Sequence, residues 1–350
     1  EMLKSLIEDV RTNPRIQVHL NTEITGVEGY IGNFKTAVLQ NGRKEQIESG
    51  IIIVATGAAE YKPTEHLYGV YARVLTQHEL EQRLAESQLD AKTAVMIQCV
   101  GSRNQTRPNC SRICCSQAVK NALKIKDLSP ETEVYVLYKD MRTYGFREDY
   151  YREAANRGVL FLCYDDEHEP QTIAENGKLA VKAWEPVLRS WILIETDLLV
   201  LSVATVSNPD NERLAKMLKV PLTKDGFFLE AHMKLRPLDF ATDGIFLCGL
   251  AHWPKFIEES ISQACGAAAR AAIVLSKKTL EAEGAVSHVD EKLCIGCGLC
   301  VSICPYAAIE KDEKDIAKVN EVLCKGCGTC AASCPKRAIT MHQFTDEQII

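Results

Sequence analysis

The strongest constraint on this 350-residue chain is a pair of cysteine runs near its C-terminus. Each run reads Cys-x2-Cys-x2-Cys-x3-Cys-Pro, and the segments 289–310 and 319–340 align with each other as an internal repeat. Three cysteines this close together allow one short loop to bind a single metal cluster through three sulfurs. The same spacing is typical of bacterial proteins that hold two [4Fe–4S] clusters. The runs therefore predict a tail whose fold is organised around iron and sulfur.

The fourth cysteine of each run, before Pro305 or Pro335, is expected to reach across to the other cluster. The ligands of one cluster are then Cys294, Cys297, Cys300 and Cys334. Those of the other are Cys304, Cys324, Cys327 and Cys330. Zinc is the alternative, but four-cysteine zinc sites usually combine separated Cys-x2-Cys pairs. The spacing favours iron–sulfur clusters.

The fifteen cysteines are an odd, unevenly clustered set, and the start of the chain has no signal-peptide character. This usage indicates metal ligation in a reducing compartment, so we expect a cytoplasmic protein. Cys163, Cys248 and Cys265 stand alone and are predicted to be buried small apolar residues. A net charge of −6 argues against nucleic-acid and anionic-membrane partners. No apolar run is long enough for a transmembrane segment. Because residue 1 is not Met, we expect a fragment or a processed piece.

Apolar strand-like runs alternate with helical segments, which predicts an α/β fold. The predicted strands are 16–20, 24–31, 34–40, 51–57, 93–99, 133–138, 159–163, 179–184, 191–203 and 244–249. The predicted helices are 2–13, 76–87, 111–127, 147–157, 211–219 and 256–276. Thr76 and Glu79 form a capping-box pattern, and Asn41-Gly42 is a hairpin-turn signal.

A second cysteine group lies where a strand passes into a helix. A dinucleotide-binding unit would carry GxGxxG at this turn, whereas this chain has one glycine, three arginines (103, 107 and 112) and four cysteines. A nicotinamide dinucleotide site is therefore not expected here. Since a helix N-terminus favours an anion, we predict a third [4Fe–4S] cluster. Its ligands would be Cys99, Cys110, Cys114 and Cys115. Buried free cysteines, a redox disulfide and a zinc site remain open from the spacing alone.

Two strand ends are suited to a flavin. One ends in Ala55, Thr56 and Gly57, and the other leads into Gly249, Leu250, Ala251 and Lys255 before a helix of small residues. Gly249 permits close backbone approach, and Lys255 is placed to act on the charge of a flavin ring. Plain α/β packing explains the same pattern equally well. No GxGxxG is found, so the adenine side of an FAD site is expected upstream of residue 1 or on another chain.

Several segments resemble the C-terminal portion of the HdrA family of heterodisulfide reductase subunits. Relatives include subunits of the quinone-interacting (Qmo) complex of sulfate reducers and of the benzoyl-CoA reductase complex. The matching segments are GYIGNF (29–34), ATGAAEYKP (55–63), CVGSR…CSRICCSQAVKNAL (99–123), GLAHWPKFIEESISQA (249–264) and the paired cysteine runs. Unlike the methanogen pattern, this chain lacks the first glycine fingerprint and has no ferredoxin insertion after GYIGNF.

The resemblance implies a thioredoxin-reductase-like two-domain flavoprotein, incomplete at its N-terminus, followed by an α+β ferredoxin domain. The expected domains are 1–88 (part of the FAD domain), 89–203 (NAD-domain-like, carrying a cluster), 204–284 (return segment of the FAD domain) and 285–350 (two-cluster ferredoxin). It also implies FAD, three [4Fe–4S] clusters, a homodimer within a larger redox complex, and donors of the ferredoxin, hydrogenase or formate dehydrogenase type. Family members can bifurcate electrons at the flavin.

The expected function is electron transfer between FAD and the clusters within an anaerobic oxidoreductase complex. No catalytic acid or base is predicted, because no such constellation lies beside the cysteines. One alternative is an NAD(P)H-dependent oxidoreductase subunit, which the missing fingerprint after 93–99 disfavours. Another is an electron-transfer and scaffold module without flavin, which the missing upstream fingerprint favours.

Overall fold

The computed structural model describes residues 2–175, 177–280 and 284–350. The α-helices are α1 (Met2–Thr12), α2 (Gln77–Ala85), α3 (Cys114–Leu128), α4 (Arg147–Asn156), α5 (Asn211–Leu218), α6 (Ile257–Leu275), α7 (Leu299–Ile303), α8 (Thr329–Ser333) and α9 (Asp346–Ile349). A 3₁₀ turn occupies Gly249–Ala251. In the described ranges no helix is both long and apolar enough to cross a membrane.

The strands follow the same chain order. They are β1 (Thr22–Glu28), β2 (Phe34–Gln40), β3 (Arg43–Ser49), β4 (Ile52–Val54), β5 (Ala58–Glu60), β6 (Val74–Thr76), β7 (Thr93–Val100), β8 (Glu133–Tyr138), β9 (Val159–Cys163), β10 (Gln171–Glu175), β11 (Lys178–Glu185), β12 (Ser190–Thr196), β13 (Leu198–Val203), β14 (Thr205–Ser207), β15 (Ile245–Leu247), β16 (Ser287–Val289), β17 (Ile309–Lys311), β18 (Ala317–Val319) and β19 (Ile339–Met341).

A parallel five-stranded sheet of order β6-β13-β7-β8-β9 forms the largest unit. The apolar run of β7 is buried along nearly its whole length, which is typical of a sheet covered on both faces. Buried residues of α2, α3 and α4 pack against one face. The antiparallel sheet β10-β11-β12 packs against the other. The predicted α/β sheet is confirmed, with a β-layer replacing helices on one side.

Some predicted strands proved wrong in their extent. The run 191–203 is two strands in two different sheets, β12 and β13, which are separated at Asp197. The carboxylate of Asp197 accepts hydrogen bonds from the backbone N–H groups of Lys92 (2.8 Å) and Thr93 (3.1 Å). These bonds fix the chain where it passes between the sheets. Residues 16–20, also predicted as a strand, form none, and the run 51–57 is a strand only through Val54.

A second unit is assembled from segments on both sides of the parallel sheet in the sequence. β4 pairs in parallel with β15, and the hairpin β2–β3 turns at Asn41-Gly42 as predicted. β5 and β14 pair antiparallel, so the chain enters and leaves the parallel-sheet unit through adjacent strands. α6 packs on β15 through Ala267 and Ala271, whose small side chains allow close approach.

The tail folds as a small pseudo-symmetric unit. β16 pairs with β19, and β17 pairs with β18. α7 lies within the first cysteine run and α8 within the second. Its core contains Ile309, Ala317 and Ile339, and the cysteines pack around these residues. The domain limits stay a prediction; the expected junction at 284–285 adjoins residues 281–283, which lie outside the described residues.

Candidate functional site

One predicted ligand set of the tail lines a single cavity. Cys294, Cys297 and Cys300 of the first run meet Cys334 of the second run around it, with Ala317 closing one side. The fourth cysteine thus lies across the pseudo-symmetry, as the crossed spacing predicts. This donor set fits a four-iron cluster, and its assignment as ligands remains a prediction.

The other predicted set has sulfurs that receive hydrogen bonds. The backbone N–H of Ala308 donates to Cys304 Sγ (3.3 Å), and that of Ser287 donates to Cys324 Sγ (3.4 Å). Ser287 Oγ lies 3.1 Å from Cys330 Sγ. Hydrogen bonds of this kind stabilise negatively charged sulfur. These contacts therefore fit thiolate ligands.

The four cysteines of the second group converge at the carboxyl end of β7 and the first turn of α3. Cys99, Cys114 and Cys115 are buried and Cys110 is half-buried. Burial raises the pKa of Cys99 to about 11, and the neighbouring thiols of Cys115 and Cys110 contribute in the same direction. The pKa of Cys114 is raised by its hydrogen bond to Cys115, by burial, and by the charges of the other thiols. The thiols of Cys99, Cys110 and Cys115 therefore lie close enough to Cys114 to shift its pKa.

A guanidinium group and a backbone N–H group lie beside this cysteine group. The guanidinium of Arg103 lies beside Cys99 and is held by Asp140 (2.7 Å). The backbone N–H of Arg112 donates to Cys110 Sγ (3.3 Å). Within the described ranges, Arg103 Nη1 and Ser116 Oγ are buried without a hydrogen-bond partner. Buried donors without partners are costly, so an anionic sulfur-containing group fits this position.

Three cysteines lie outside the predicted ligand sets. Cys248 is buried, as predicted, whereas Cys163 and Cys265 are exposed, so the prediction for these two was wrong. Cys163 ends β9 at the rim of the sheet, and Cys265 lies on an exposed face of α6. Among the described residues, no three His, Cys, Asp or Glu side chains are placed to hold a single metal ion.

The two predicted flavin segments follow adjacent ends of paired strands. Val54 is in register with Leu247, and the N–H of Cys248 donates to Val54 O (3.1 Å). Ala55-Thr56-Gly57 and Gly249-Leu250-Ala251 therefore begin side by side. Gly57 (φ +73°) and Gly249 (φ +69°) have left-handed backbones, and a Cβ built on either would meet no heavy atom within 4 Å. The backbone there leaves room for a ligand to approach closely.

Lys255 is buried in the same segment. Its ammonium donates to the carbonyls of Gly249 and Trp253, both at 2.7 Å. Burial lowers the pKa of Lys255 to about 8. The side chain therefore holds the turn after β15 in place and keeps a titratable charge beside it.

Arg112 joins the cysteine group to the flavin segment, and the sequence alone did not single it out for this role. Its guanidinium donates to Pro254 O (3.2 Å), Glu259 Oε1 (2.7 Å) and Tyr144 Oη (3.0 Å). Glu259 also accepts from the backbone N–H of Phe256 (2.7 Å) at the start of α6. No local sequence signal marks the contacts with Pro254 and Glu259, since these partners are more than a hundred residues away in the chain.

A charged contact joins the tail to the rest of the chain. Lys325, inside the second cysteine run, forms a salt bridge with Asp243, which also lies near Arg236. Tyr306 and Leu323 of the tail line a cavity shared with β1, β2 and α5. The second cysteine run therefore faces the unit that carries the flavin segments.

Comparisons with known proteins identify a matching family domain and several relatives. Residues 287–341 match the family model of the 4Fe-4S dicluster domain. The HdrA-type subunit of the H(2):CoB-CoM heterodisulfide,ferredoxin reductase of Methanothermobacter thermautotrophicus is 40% identical over 295 residues, covering 78% of this chain and 44% of that protein. The corresponding iron-sulfur subunit of the CoB--CoM heterodisulfide reductase of Methanocaldococcus jannaschii is 41% identical over 336 residues, covering 89% and 50%. The chain spans about half the length of these relatives.

Solved structures support the fold. Thioredoxin reductase of T. acidophilum superposes with a TM-score of 0.52 at 14% identity, covering 79% of this chain and 81% of that one. The HOCl-induced flavoprotein disulfide reductase of Escherichia coli gives a TM-score of 0.51 at 11% identity, covering 82% and 58%. The chain has a thioredoxin-reductase-like flavoprotein fold joined to a dicluster domain, as the sequence predicted.

Proposed function

Because the chain belongs to the HdrA family of heterodisulfide reductase subunits, we propose that it is the part of an oxidoreductase subunit that passes electrons between FAD and three [4Fe–4S] clusters. The proposed ligands of the tail are Cys294, Cys297, Cys300 and Cys334 for one cluster and Cys304, Cys324, Cys327 and Cys330 for the other. Cys99, Cys110, Cys114 and Cys115 are the proposed ligands of the third. When bound, clusters and flavin supply one- and two-electron transfer.

The observation that carries this proposal is the bridge made by Arg112. This residue lies between two proposed ligands, Cys110 and Cys114, and its side chain bonds directly to Pro254 and Glu259 beside the proposed flavin segment. One side chain therefore positions the cysteine loop against the segment Gly249–Lys255. Electron transfer between two cofactors is faster when they lie closer together. Because Arg112 connects the cysteine loop to the proposed flavin segment, this arrangement supports electron exchange between the two sites.

The remaining assignments are part of the same proposal. FAD is proposed to contact Ala55, Thr56, Gly57, Gly249, Leu250, Ala251 and Lys255. The proposed division at residues 88, 203 and 284 gives two flavin-domain segments, a cluster-bearing unit and the ferredoxin domain. β6 and α2 precede residue 88 but pack with the parallel sheet of the cluster-bearing unit. The relatives are named as subunits, which supports a place for this chain in a multisubunit complex. A homodimer, a cytoplasmic location and electron bifurcation at the flavin are further parts of the proposal.

Two alternatives receive less support. The turn after β7 carries Cys110 and Arg112 where a nucleotide-binding unit needs glycines, so NAD(P)H is not proposed as the donor. A flavin-free scaffold is disfavoured because Gly57 and Gly249 face open space at paired strand ends. Titration of the anaerobic protein with FAD distinguishes these functions: the scaffold predicts no bound flavin, and the NAD(P)H-dependent enzyme predicts that NADH bleaches it.

The third cluster is tested by Cys110→Ser in anaerobically purified protein. The wild type is expected to hold about twelve irons per chain, and the variant about four fewer, because one [4Fe–4S] site loses a ligand. Iron analysis together with EPR of the reduced protein measures this. Cys265→Ser, an exposed cysteine of α6 outside every proposed ligand set, is the matched control and is expected to keep full iron. Full iron in Cys110→Ser would contradict the third cluster.

A further inference from the structure

The two cysteine sets of the tail occupy matching positions of the repeat, but their surroundings differ at one buried position. β16 begins at Ser287 and β18 begins at Ala317, at equivalent places in the two halves. Ser287 is in register with Met341, and Ala317 is in register with Lys311, again at equivalent places. Both small residues are buried, at 3% and 4% exposure. At this equivalent position, one half of the repeat therefore has a hydroxyl group and the other half has a methyl group.

The hydroxyl of Ser287 points at sulfur. Its Oγ lies 3.1 Å from Cys330 Sγ and 3.2 Å from Met341 Sδ, while its backbone N–H reaches Cys324 Sγ at 3.4 Å. A ligating cysteine carries no proton, so in that state the serine must be the donor. A thioether is a weak acceptor, whereas a charged thiolate is a strong one. The hydroxyl is therefore expected to donate to Cys330.

The equivalent position of the first half offers no such donor. Ala317 lines the cavity formed by Cys294, Cys297, Cys300 and Cys334, and its methyl group cannot donate a hydrogen bond. One pair of backbone donors is matched in the two halves: Ala308 N–H donates to Cys304 and Ala338 N–H donates to Cys334, both at 3.3 Å. Ser287 N–H also donates to Cys324, and a substitution of the Ser287 side chain leaves this N–H in place. The side-chain difference between the two halves therefore lies at positions 287 and 317.

We propose that Ser287 raises the reduction potential of the cluster held by Cys304, Cys324, Cys327 and Cys330, and so separates the potentials of the two tail clusters. This rests on the proposed function, in which both sets hold [4Fe–4S] clusters. Reduction adds one electron and makes or breaks no bond, and a donor to ligand sulfur stabilises the more negative reduced state. Because Ser287 is buried, water cannot replace its hydrogen bond.

Charged residues near the first set do not mimic this effect. Lys311, Lys336 and Asp315 line its cavity, but all three are exposed, and Lys311 is paired with Asp315 at 3.3 Å. Salt and solvent screen such groups, so they act weakly on a nearby potential. The buried hydroxyl of Ser287 is therefore the contact expected to separate the potentials of the two clusters.

Ser287→Ala in the whole anaerobic protein tests the inference. An EPR-monitored titration with dithionite as reductant is expected to show one tail cluster whose reduction equilibrium falls about tenfold, a midpoint lower by about 59 mV, while the other cluster is unchanged. The reciprocal variant Ala317→Ser is expected to raise the midpoint of the other cluster. Thr329→Val removes an exposed hydroxyl 3.5 Å from Cys327, which water replaces, and is expected to leave both midpoints in place.

The outcomes separate this inference from the proposed function. If Ser287→Ala keeps both tail clusters by iron content and EPR but neither midpoint moves, the role of Ser287 is overturned. If the midpoint shifts as much in Thr329→Val as in Ser287→Ala, burial does not decide which hydroxyl affects the potential. Absence of tail clusters from the wild-type protein would instead contradict the proposed function. If Ala317→Ser fails to assemble, Ser287→Ala alone decides.

Discussion

At the scale of single residues, the proposed flavin segment contains a charged side chain that is almost entirely buried. Lys255 is 6% exposed, with two carbonyls as its hydrogen-bond acceptors, and its pKa falls to about 8. The carbonyls of Gly249 and Trp253 stabilise the ammonium only in part, because a carbonyl carries no full charge. The lysine therefore holds its proton less tightly in the folded chain than in the unfolded chain.

The shifted pKa predicts a pH dependence of stability. Between about pH 8 and the ordinary value of 10.5, the unfolded chain keeps the Lys255 proton and the folded chain has lost it, so the free energy of unfolding rises with pH. Below about pH 8 both states are protonated and this dependence vanishes. Thermal unfolding followed by circular dichroism should show a weaker rise in Lys255→Met. Lys44→Met, on the exposed strand β3, is the control, and an identical rise in all three proteins would contradict the assignment.

At the scale of elements, the start of α2 combines a local signal with tertiary packing. Thr76 Oγ1 accepts from Glu79 N–H (3.3 Å), and Glu79 Oε2 accepts from Thr76 N–H (2.7 Å), which is the predicted capping box. Thr76 also ends β6, so the cap fixes the turn from the parallel sheet into the helix that covers it. Local sequence and tertiary contacts favour the same conformation here.

Removing the cap is expected to loosen α2. Thr76→Ala should cost about 1 kcal/mol, because an N-cap acceptor is lost. Native-state hydrogen exchange should then be about fivefold faster at the α2 amides. Thr12→Ala, which removes an exposed hydroxyl bonded to Glu8 in α1, should leave α2 unchanged. Equal exchange of α2 in Thr76→Ala and the wild type would show that packing alone holds the helix.

At the scale of the whole molecule, the tail contacts the unit that carries the proposed flavin segments, and it does so through its second cysteine run. Lys325 pairs with Asp243, and Tyr306 and Leu323 lie against the same unit. Because Lys325 lies between Cys324 and Cys327, this contact orients the proposed cluster of that run toward the rest of the chain. Ser287 contacts the same cysteine set. The salt bridge of Lys325 and the proposed hydrogen bond of Ser287 therefore act on the same proposed cluster.

Breaking the salt bridge is expected to free the tail. Lys325→Ala should speed limited proteolysis between the tail and the rest of the anaerobic protein by about threefold, since a partly exposed ion pair contributes under about 1 kcal/mol. Lys318→Ala removes a salt bridge to Glu291 within the tail and is the matched control. If both variants are cleaved at the wild-type rate, apolar contacts rather than Lys325 hold the tail.

Features with a local cause could be predicted from the residues alone. The crossed cysteine runs follow from residue spacing, the capping box at Thr76 and the hairpin at Asn41-Gly42 from short-range hydrogen bonding, and the α/β class from hydrophobic periodicity. Other features became visible only in the folded chain: Asp197 divides one apolar run between two sheets, and Arg112 meets a distant carbonyl and a distant carboxylate. The fold also places Ser287 against Cys330. These contacts join residues far apart in the chain, so the folded geometry, and not local propensity, selects them.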